Sequence, residues 1–132
     1  MTTTEQSPEI RTVCDQERVQ QMLALVKRVK LAEDVKRYAL RLMLATHPHA
    51  PEAPDTVRQF VRYGASPRAA QSMILGGKVK ALEDGRYNVA FDDLHAMAMP
   101  ALQHRIVLNF EGEVAHMRVE DIVRELLTHI RP

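Results

Sequence analysis

The chain has 132 residues, of which 45% are hydrophobic and 27% charged, with a formal net charge of +1. That length buries one modest core, and a charge so near neutrality gives no bulk attraction to nucleic acid or anionic lipid. Aromatic residues make up only 5% and tryptophan is absent, which favours helices, because sheets recruit β-branched and aromatic side chains.

Residues 1–12 are polar, contain Thr, Ser and Pro, and show no periodic apolar face. They read as a flexible N-terminal tail, and the lack of an apolar h-region excludes a secretory signal. From Asp15 onward, Val19, Met22, Leu23, Val26 and Val29 or Lys30 follow helical spacing. A second stripe runs through Val35, Tyr38, Ala39, Leu42 and Thr46, with Asp34 as its expected N-cap. The prolines of His47-Pro48-His49-Ala50-Pro51-Glu52-Ala53-Pro54 close that helix. A short helix is predicted from Asp55 through Val57, Phe60 and Val61, with Gly64 as its C′ glycine.

Ser66-Pro67 is a helix-start signal, with serine as N-cap and proline at the first helical position. The helix it opens carries Ala70, Met73, Ile74, Gly77 and Ala81 on one side and stops at Gly85. Small residues on that stripe predict close packing against a neighbour. Tyr87-Asn88-Val89 is expected to be briefly extended. Leu94, Met97 and Ala98 mark a further helix that Pro100 ends or kinks, and Ile122, Val123, Leu126, Leu127 and Ile130 mark the last one. Five or six amphipathic helices joined by short loops make an all-α fold, a small helical bundle.

Most catalytic constellations are missing. Gly76-Gly77-Lys78-Val79 resembles a phosphate loop only superficially: the upstream glycine is absent, Val79 cannot ligate magnesium, and the segment lies within a helix. Cys14 is the single cysteine, so it supports neither an internal disulfide nor a Cys-His nucleophile, and it suits a reducing cytosol. His47 and His49 offer two metal ligands without a third. Asp92-Asp93 and Glu120-Asp121 stand where helices begin, a placement that favours the positive end of the helix dipole over acid–base chemistry. The basic stretch Lys27, Arg28, Lys30, Lys36, Arg37 and Arg41 is interrupted by Glu33 and Asp34 and has no aromatic platforms, so it reads as a solvated face. No apolar run is long enough to span a membrane.

One segment combines several features: Arg62-Tyr63-Gly64-Ala65-Ser66-Pro67-Arg68-Ala69-Ala70. A glycine turn and a Ser-Pro cap place Arg68 in a first helical turn, where free N–H groups and the dipole already favour anions. A guanidinium there adds a forked, permanent donor for phosphate oxygens. Pairing of Arg68 with a neighbouring carboxylate is the equally open alternative.

The stretch Gly64-Ala65-Ser66-Pro67-Arg68-Ala69-Ala70-Gln71 resembles the sensor-2 motif of MoxR-type AAA+ ATPases. Val35 to Thr46 followed by His47-Pro48 is similar to that family's second lid helix. Lys78 to Arg86, then Val89-Ala90-Phe91-Asp92-Asp93, resembles the stretch before its next helix and that helix's start. Met99-Pro100-Ala101-Leu102-Gln103-His104-Arg105-Ile106 matches its proline-containing helix and His-Arg pair, and Glu120-Asp121-Ile122-Val123 its final helix.

The resemblance covers about residues 15–130 and implies a helical C-terminal AAA+ lid over 13–132. In that family the lid packs over nucleotide held by the preceding α/β core, and the sensor-2 arginine reaches the γ-phosphate. Carried over, Arg68 becomes that arginine, positioned by Gly64, Ser66 and Pro67, while His104-Arg105 takes a structural or inter-subunit role.

The resemblance further implies ATP with magnesium only beside a core supplied in cis or in trans, and no cofactor for the chain alone. It also implies a ring-forming, chaperone-like remodelling machine, often with von Willebrand A-domain partners. No Walker A, Walker B, sensor-1 or arginine-finger segment is present, so the chain by itself is not expected to be an enzyme. It is read as a lid fragment, a split-gene product or a degenerate stand-alone homologue. Ala90 and Arg118 stand where capping threonines are expected, which predicts frayed helix starts. A lid without its core exposes the surface that would have packed on it, favouring self-association. The second reading is a stand-alone helical protein–protein interaction module that uses no nucleotide. The expected location is cytoplasmic, with neither nucleic acid nor membrane as a partner.

Overall fold

The computed structural model describes residues 11–132. Among them run seven helices and two short strands: α1 (Gln16–Arg28), α2 (Glu33–Leu44), α3 (Asp55–Phe60), β1 (Val61–Tyr63), α4 (Pro67–Glu83), α5 (Phe91–Leu102), β2 (Val107–Leu108), α6 (Phe110–Val114) and α7 (Val119–His129). The fold is the expected helical bundle, with an antiparallel β1–β2 pair added. Of the tail expected over residues 1–12, all but the last two lie outside the described residues; those two are exposed and irregular.

The core is built from the predicted stripes. Leu42 of α2, Met73 of α4, Leu94 and Leu102 of α5, and Ile122 and Leu126 of α7 are all buried. Packing of α4 on α5 depends on the two central glycines of α4. A Cβ at Gly76 would lie 2.6 Å from the Met97 sulfur, and one at Gly77 3.1 Å from Val89 Cγ1. The helix-propensity loss of about 1 kcal/mol per glycine is therefore offset by the close approach it permits.

Helix ends follow local chemistry. Gly85, at φ +72, closes α4 with paired bonds from Gly85 N–H to the Leu82 carbonyl (3.0 Å) and Arg86 N–H to the Ala81 carbonyl (2.7 Å), the glycine-terminated cap that leaves few orphan carbonyls. Pro100 does not end α5, which continues to Leu102. Asp34 is not the cap of α2: Ala32 occupies that position, and Glu33 and Asp34 sit in the first turn, where they face the dipole instead. Ala90 has no side chain with which to cap α5. Its N–H donates to Asp93 Oδ2 at 2.7 Å, so the carboxylate three residues on supplies the reciprocal half of a capping box.

Tyr38 ties three helices together. Its buried hydroxyl donates to the Ile130 carbonyl at 3.0 Å and lies 2.7 Å from His95 Nε2. Its ring meets Phe91 edge-on at 5.5 Å. Of Tyr87–Val89, expected to be extended, Asn88 forms an isolated parallel bridge to Lys30, whose N–H donates to the Tyr87 carbonyl at 2.9 Å.

Helix α1 is the exception. Asp15 caps it, accepting from the Arg18 N–H at 2.8 Å, yet no residue of the helix is buried. Its apolar stripe reaches the core only through Val29, just beyond its end.

Candidate functional site

The segment around Arg68 is held by the end of α2. Thr46 is fully buried; its hydroxyl donates to the Met43 carbonyl at 2.6 Å and accepts the Ala65 N–H at 2.8 Å. His47 Nε2 lies 3.0 Å from the Ala65 carbonyl. Both backbone groups of Ala65 are thus satisfied by the residues that end α2, and the chain on either side of Ala65 has little freedom.

Gly64 takes a role other than the expected one. Helix α3 ends at Phe60, and the chain continues as β1 rather than turning at a C′ glycine. Pairing of β1 with β2 holds it extended, with Val61 opposite Leu108. What demands glycine at 64 is space: a Cβ there would lie 2.7 Å from the Thr46 carbonyl carbon and oxygen and 2.7 Å from His47 Cγ. With only a hydrogen where other residues carry Cβ, the backbone can lie directly on the end of α2.

Ser66 has the extended N-cap conformation and Pro67 opens α4, as predicted, but the serine hydroxyl makes no capping bond. The Ser66 carbonyl accepts the Ala69 N–H at 2.8 Å. Arg68 follows in the first turn, exposed to solvent. Among the described residues its guanidinium has no carboxylate or hydrogen-bond partner. Of the two readings left open for Arg68, internal pairing is therefore excluded within residues 11–132.

The first turns of α4 are braced from α5. Ser72 Oγ donates to the Arg68 carbonyl at 2.9 Å, and Arg105 Nη2 approaches Ser72 Oγ at 3.4 Å while Nη1 donates to the Ala101 carbonyl at 2.7 Å. Arg105 thus has the structural part of the role expected for the His-Arg pair, and His104 is exposed beside it. Nearby, Arg62 stacks over the Tyr63 ring at 5.1 Å.

The other candidate residues do not assemble a site. His47 is committed to Ala65, His49 is exposed, and no three His, Cys, Asp or Glu residues among those described could hold a metal. Asp93 is buried against Arg86, which donates from Nη1 at 2.9 Å and Nη2 at 2.6 Å. These bonds hold the Asp93 carboxyl below its ordinary range, against the opposing effect of burial and with help from the Ala90 N–H. Asp93 is therefore a structural ion. Within the basic stretch, Arg41 pairs with Glu52 at 2.6 Å and Lys36 with Glu33 at 3.5 Å.

Thr46 and Arg86 are the two residues of consequence whose roles local spacing did not reveal. Thr46 fell on an apolar stripe, and its hydroxyl partner lies 19 residues away. Arg86 was readable in part: an arginine shortly before an uncapped helix start with aspartate at its third position.

Bundle and site together define a small helical lid domain whose α4 carries, in its first turn, an arginine unpaired among the described residues. The family model for the AAA lid domain matches residues 54–126, and the chain belongs to that family. It is 29% identical over 90 residues to the chaperone MoxR1 of Mycobacterium tuberculosis, covering 68% of this chain and 24% of that protein. It is 26% identical over 106 residues to the uncharacterized protein YeaC of Bacillus subtilis, covering 80% and 30% respectively. A crystal structure of a proposed ATPase from Cytophaga hutchinsonii superimposes with a TM-score of 0.83 at 27% identity, over 87% of this chain and 35% of that one. The chain thus spans between 24% and 35% of the length of these relatives. No helix among the described residues is long and apolar enough to cross a membrane.

Proposed function

We propose that this chain is the lid of a MoxR-type AAA+ ATPase and acts on nucleotide only beside an ATPase core, joined in cis or supplied in trans. The lid unit spans residues 13–132. Arg68 contacts the γ-phosphate of ATP bound by the core, and Gly64, Ser66 and Pro67 fix the helix start that carries it. The observation that carries this reading is the combination at Arg68 of full availability and a rigid mount. The guanidinium is exposed and unpaired among the described residues, while the loop before it is clamped to Thr46 and His47.

Such an arginine fits an anionic oxygen: it is charged at any working pH and forked. Magnesium would be held by the core together with the phosphates, where it supplies charge neutralisation during phosphoryl transfer. In the whole machine the lid couples nucleotide state to movement of a ring, hexameric in the parent, that remodels protein complexes in the cytoplasm. Neither nucleic acid nor membrane takes part.

The test is a protein that joins this chain to a MoxR-type core. Arg68→Ala lowers ATP hydrolysis by about tenfold or more, as removal of a preorganised donor to developing charge does. Its thermal stability stays within about 0.5 kcal/mol of the parent, as expected of an exposed residue without partners. Full hydrolysis by that variant would remove the assigned role. A stand-alone interaction module is the second reading, and one observation favours it: α1 presents an apolar stripe that nothing among the described residues buries.

A further inference from the structure

Six cations elsewhere on this molecule are matched by its own acids. Lys36, Arg41, Lys80, Arg86, Arg118 and Arg124 each form an ion pair with a neighbouring carboxylate. The two flanks of α1 break that pattern. Lys27 and Lys78 rim a groove of about 350 Å³ between α1 and α4, floored by Ile74 and Leu75. Arg28 and Lys30 rim a second hollow of about 330 Å³ with Leu25 and Tyr87. None of these four cations has an ion pair or side-chain hydrogen bond among the described residues.

Apolar side chains of the same two helices are exposed as well. Met22 and Leu23 of α1 and Leu75 of α4 are 51%, 58% and 57% exposed. Leu75 and Val79 follow Arg68 at seven and eleven residues, so they lie along one face of α4. Single exposed leucines need no explanation, but a groove floored by Ile74 and Leu75 and rimmed by two lysines without ion pairs among the described residues does.

We propose that the groove between α1 and α4 receives an acidic amphipathic helix of a partner protein. The apolar floor takes the partner's leucine-type residues, spaced at i, i+3, i+4 and i+7, in the helix-in-groove mode. The carboxylates flanking that stripe meet Lys27 and Lys78 at the rim, and Arg28 and Lys30, which line the second hollow, add positive charge to the same end of α1. The charge pattern sets the choice of occupant: a second copy would bring its own four cations to the same face, and like charges across an interface oppose docking. The proposal makes no use of nucleotide or of the Arg68 guanidinium.

The test uses the 132-residue chain and two dye-labelled synthetic helices of about 15 residues, one with leucines and glutamates, the other identical but with lysine for each glutamate. Fluorescence anisotropy is expected to show binding of the acidic peptide only, weakening as salt is raised from about 0.05 to about 0.5 M. Lys27→Glu with Lys78→Glu weakens that binding by about tenfold or more and transfers preference to the basic peptide. Leu75→Ser, at an exposed position the fold does not need, weakens binding of either peptide and serves as the reading if the double variant fails to fold. Arg68→Ala leaves the peptide affinity unchanged, which separates this result from the nucleotide test.

Equal binding of both peptides, or of neither, overturns the proposal. So does sedimentation as a dimer that Leu75→Ser abolishes, which assigns the face to a second copy. Binding of phosphatidylserine vesicles through the same lysines, without peptide binding, assigns it to a membrane and overturns the proposal equally.

Discussion

The buried hydroxyl of Thr46 accepts the backbone N–H of Ala65 at 2.8 Å, joining the end of α2 to the loop that starts α4. It is the bond through which the position of Arg68 depends on a helix remote from it in sequence. Thr46→Val keeps the shape of the side chain but leaves the Ala65 N–H unsatisfied, at a cost of about 1–3 kcal/mol. The expected result is a lower urea midpoint with an unchanged m-value. Thr46→Ser retains the acceptor and recovers most of the loss; equal damage from both variants would show that methyl packing, not the hydrogen bond, is what matters.

Two glycines predict opposite outcomes for the same substitution. Gly64→Ala places a methyl 2.7 Å from the Thr46 backbone, which cannot swing away, so about 1–3 kcal/mol of overpacking strain is expected. Gly76→Ala meets the Met97 sulfur at 2.6 Å, the far end of a flexible side chain. Repacking of Met97 against a helix-propensity gain of about 1 kcal/mol leaves that variant near neutral. Thermal unfolding followed by circular dichroism separates the two.

His116 stands at φ 51, the non-glycine residue with positive φ among those described. It occupies the C′ position after α6, where Met117 N–H reaches the Gly112 carbonyl at 2.9 Å. The side chain is exposed and makes no hydrogen bond among the described residues. His116→Gly relieves the left-handed strain and raises stability by about 0.5–1 kcal/mol, net of the greater freedom of glycine in the unfolded chain. His116→Ala, which retains a Cβ, gives no such gain in chemical denaturation.

Asp93 links stability to acid. Its carboxyl is held below the ordinary range by Arg86, so the folded state binds its proton less readily than the unfolded state, whose pKa is about 3.9. The stabilisation is fully present above that value and is lost as pH falls through the folded pKa. Asp93→Asn is therefore less stable than the parent at neutral pH, and the gap narrows below about pH 4. Denaturant midpoints measured at both pH values check the sign; a gap that stays constant would remove the ion pair as its cause.

Much of the helical framework was legible locally. Helix starts at Asp15 and Ser66-Pro67, the stop at Gly85, and the closure of α2 before its prolines all rest on features within about five residues, which spacing encodes directly. The stripes of α2, α4, α5 and α7 pointed to the core for the same reason. Strand β1, its partner β2 and the short α6 carried no such signal. The strands span 3 and 2 residues, too short for alternation to register, and their pairing joins Val61 to Leu108 across the chain. At Ala90 the side-chain cap is absent, as the residue alone implies; what one residue could not show is the reciprocal bond from the Ala90 N–H to Asp93, which Arg86 steadies.

What the amino-acid sequence determined by itself was the helical composition, the placement of Arg68 in a first turn, and the resemblance of that segment to a lid motif. These are properties of short windows. Only the tertiary structure decided which contacts those windows make. It replaced a turn role for Gly64 with close packing on Thr46, chose Asp93 over the exposed Asp92 as the buried ion, and left Arg68 without a partner among the described residues. It also left the α1 stripe unburied among the described residues. Amphipathic spacing specifies which face of a helix is apolar; whether that face is covered depends on elements distant in sequence or on another molecule.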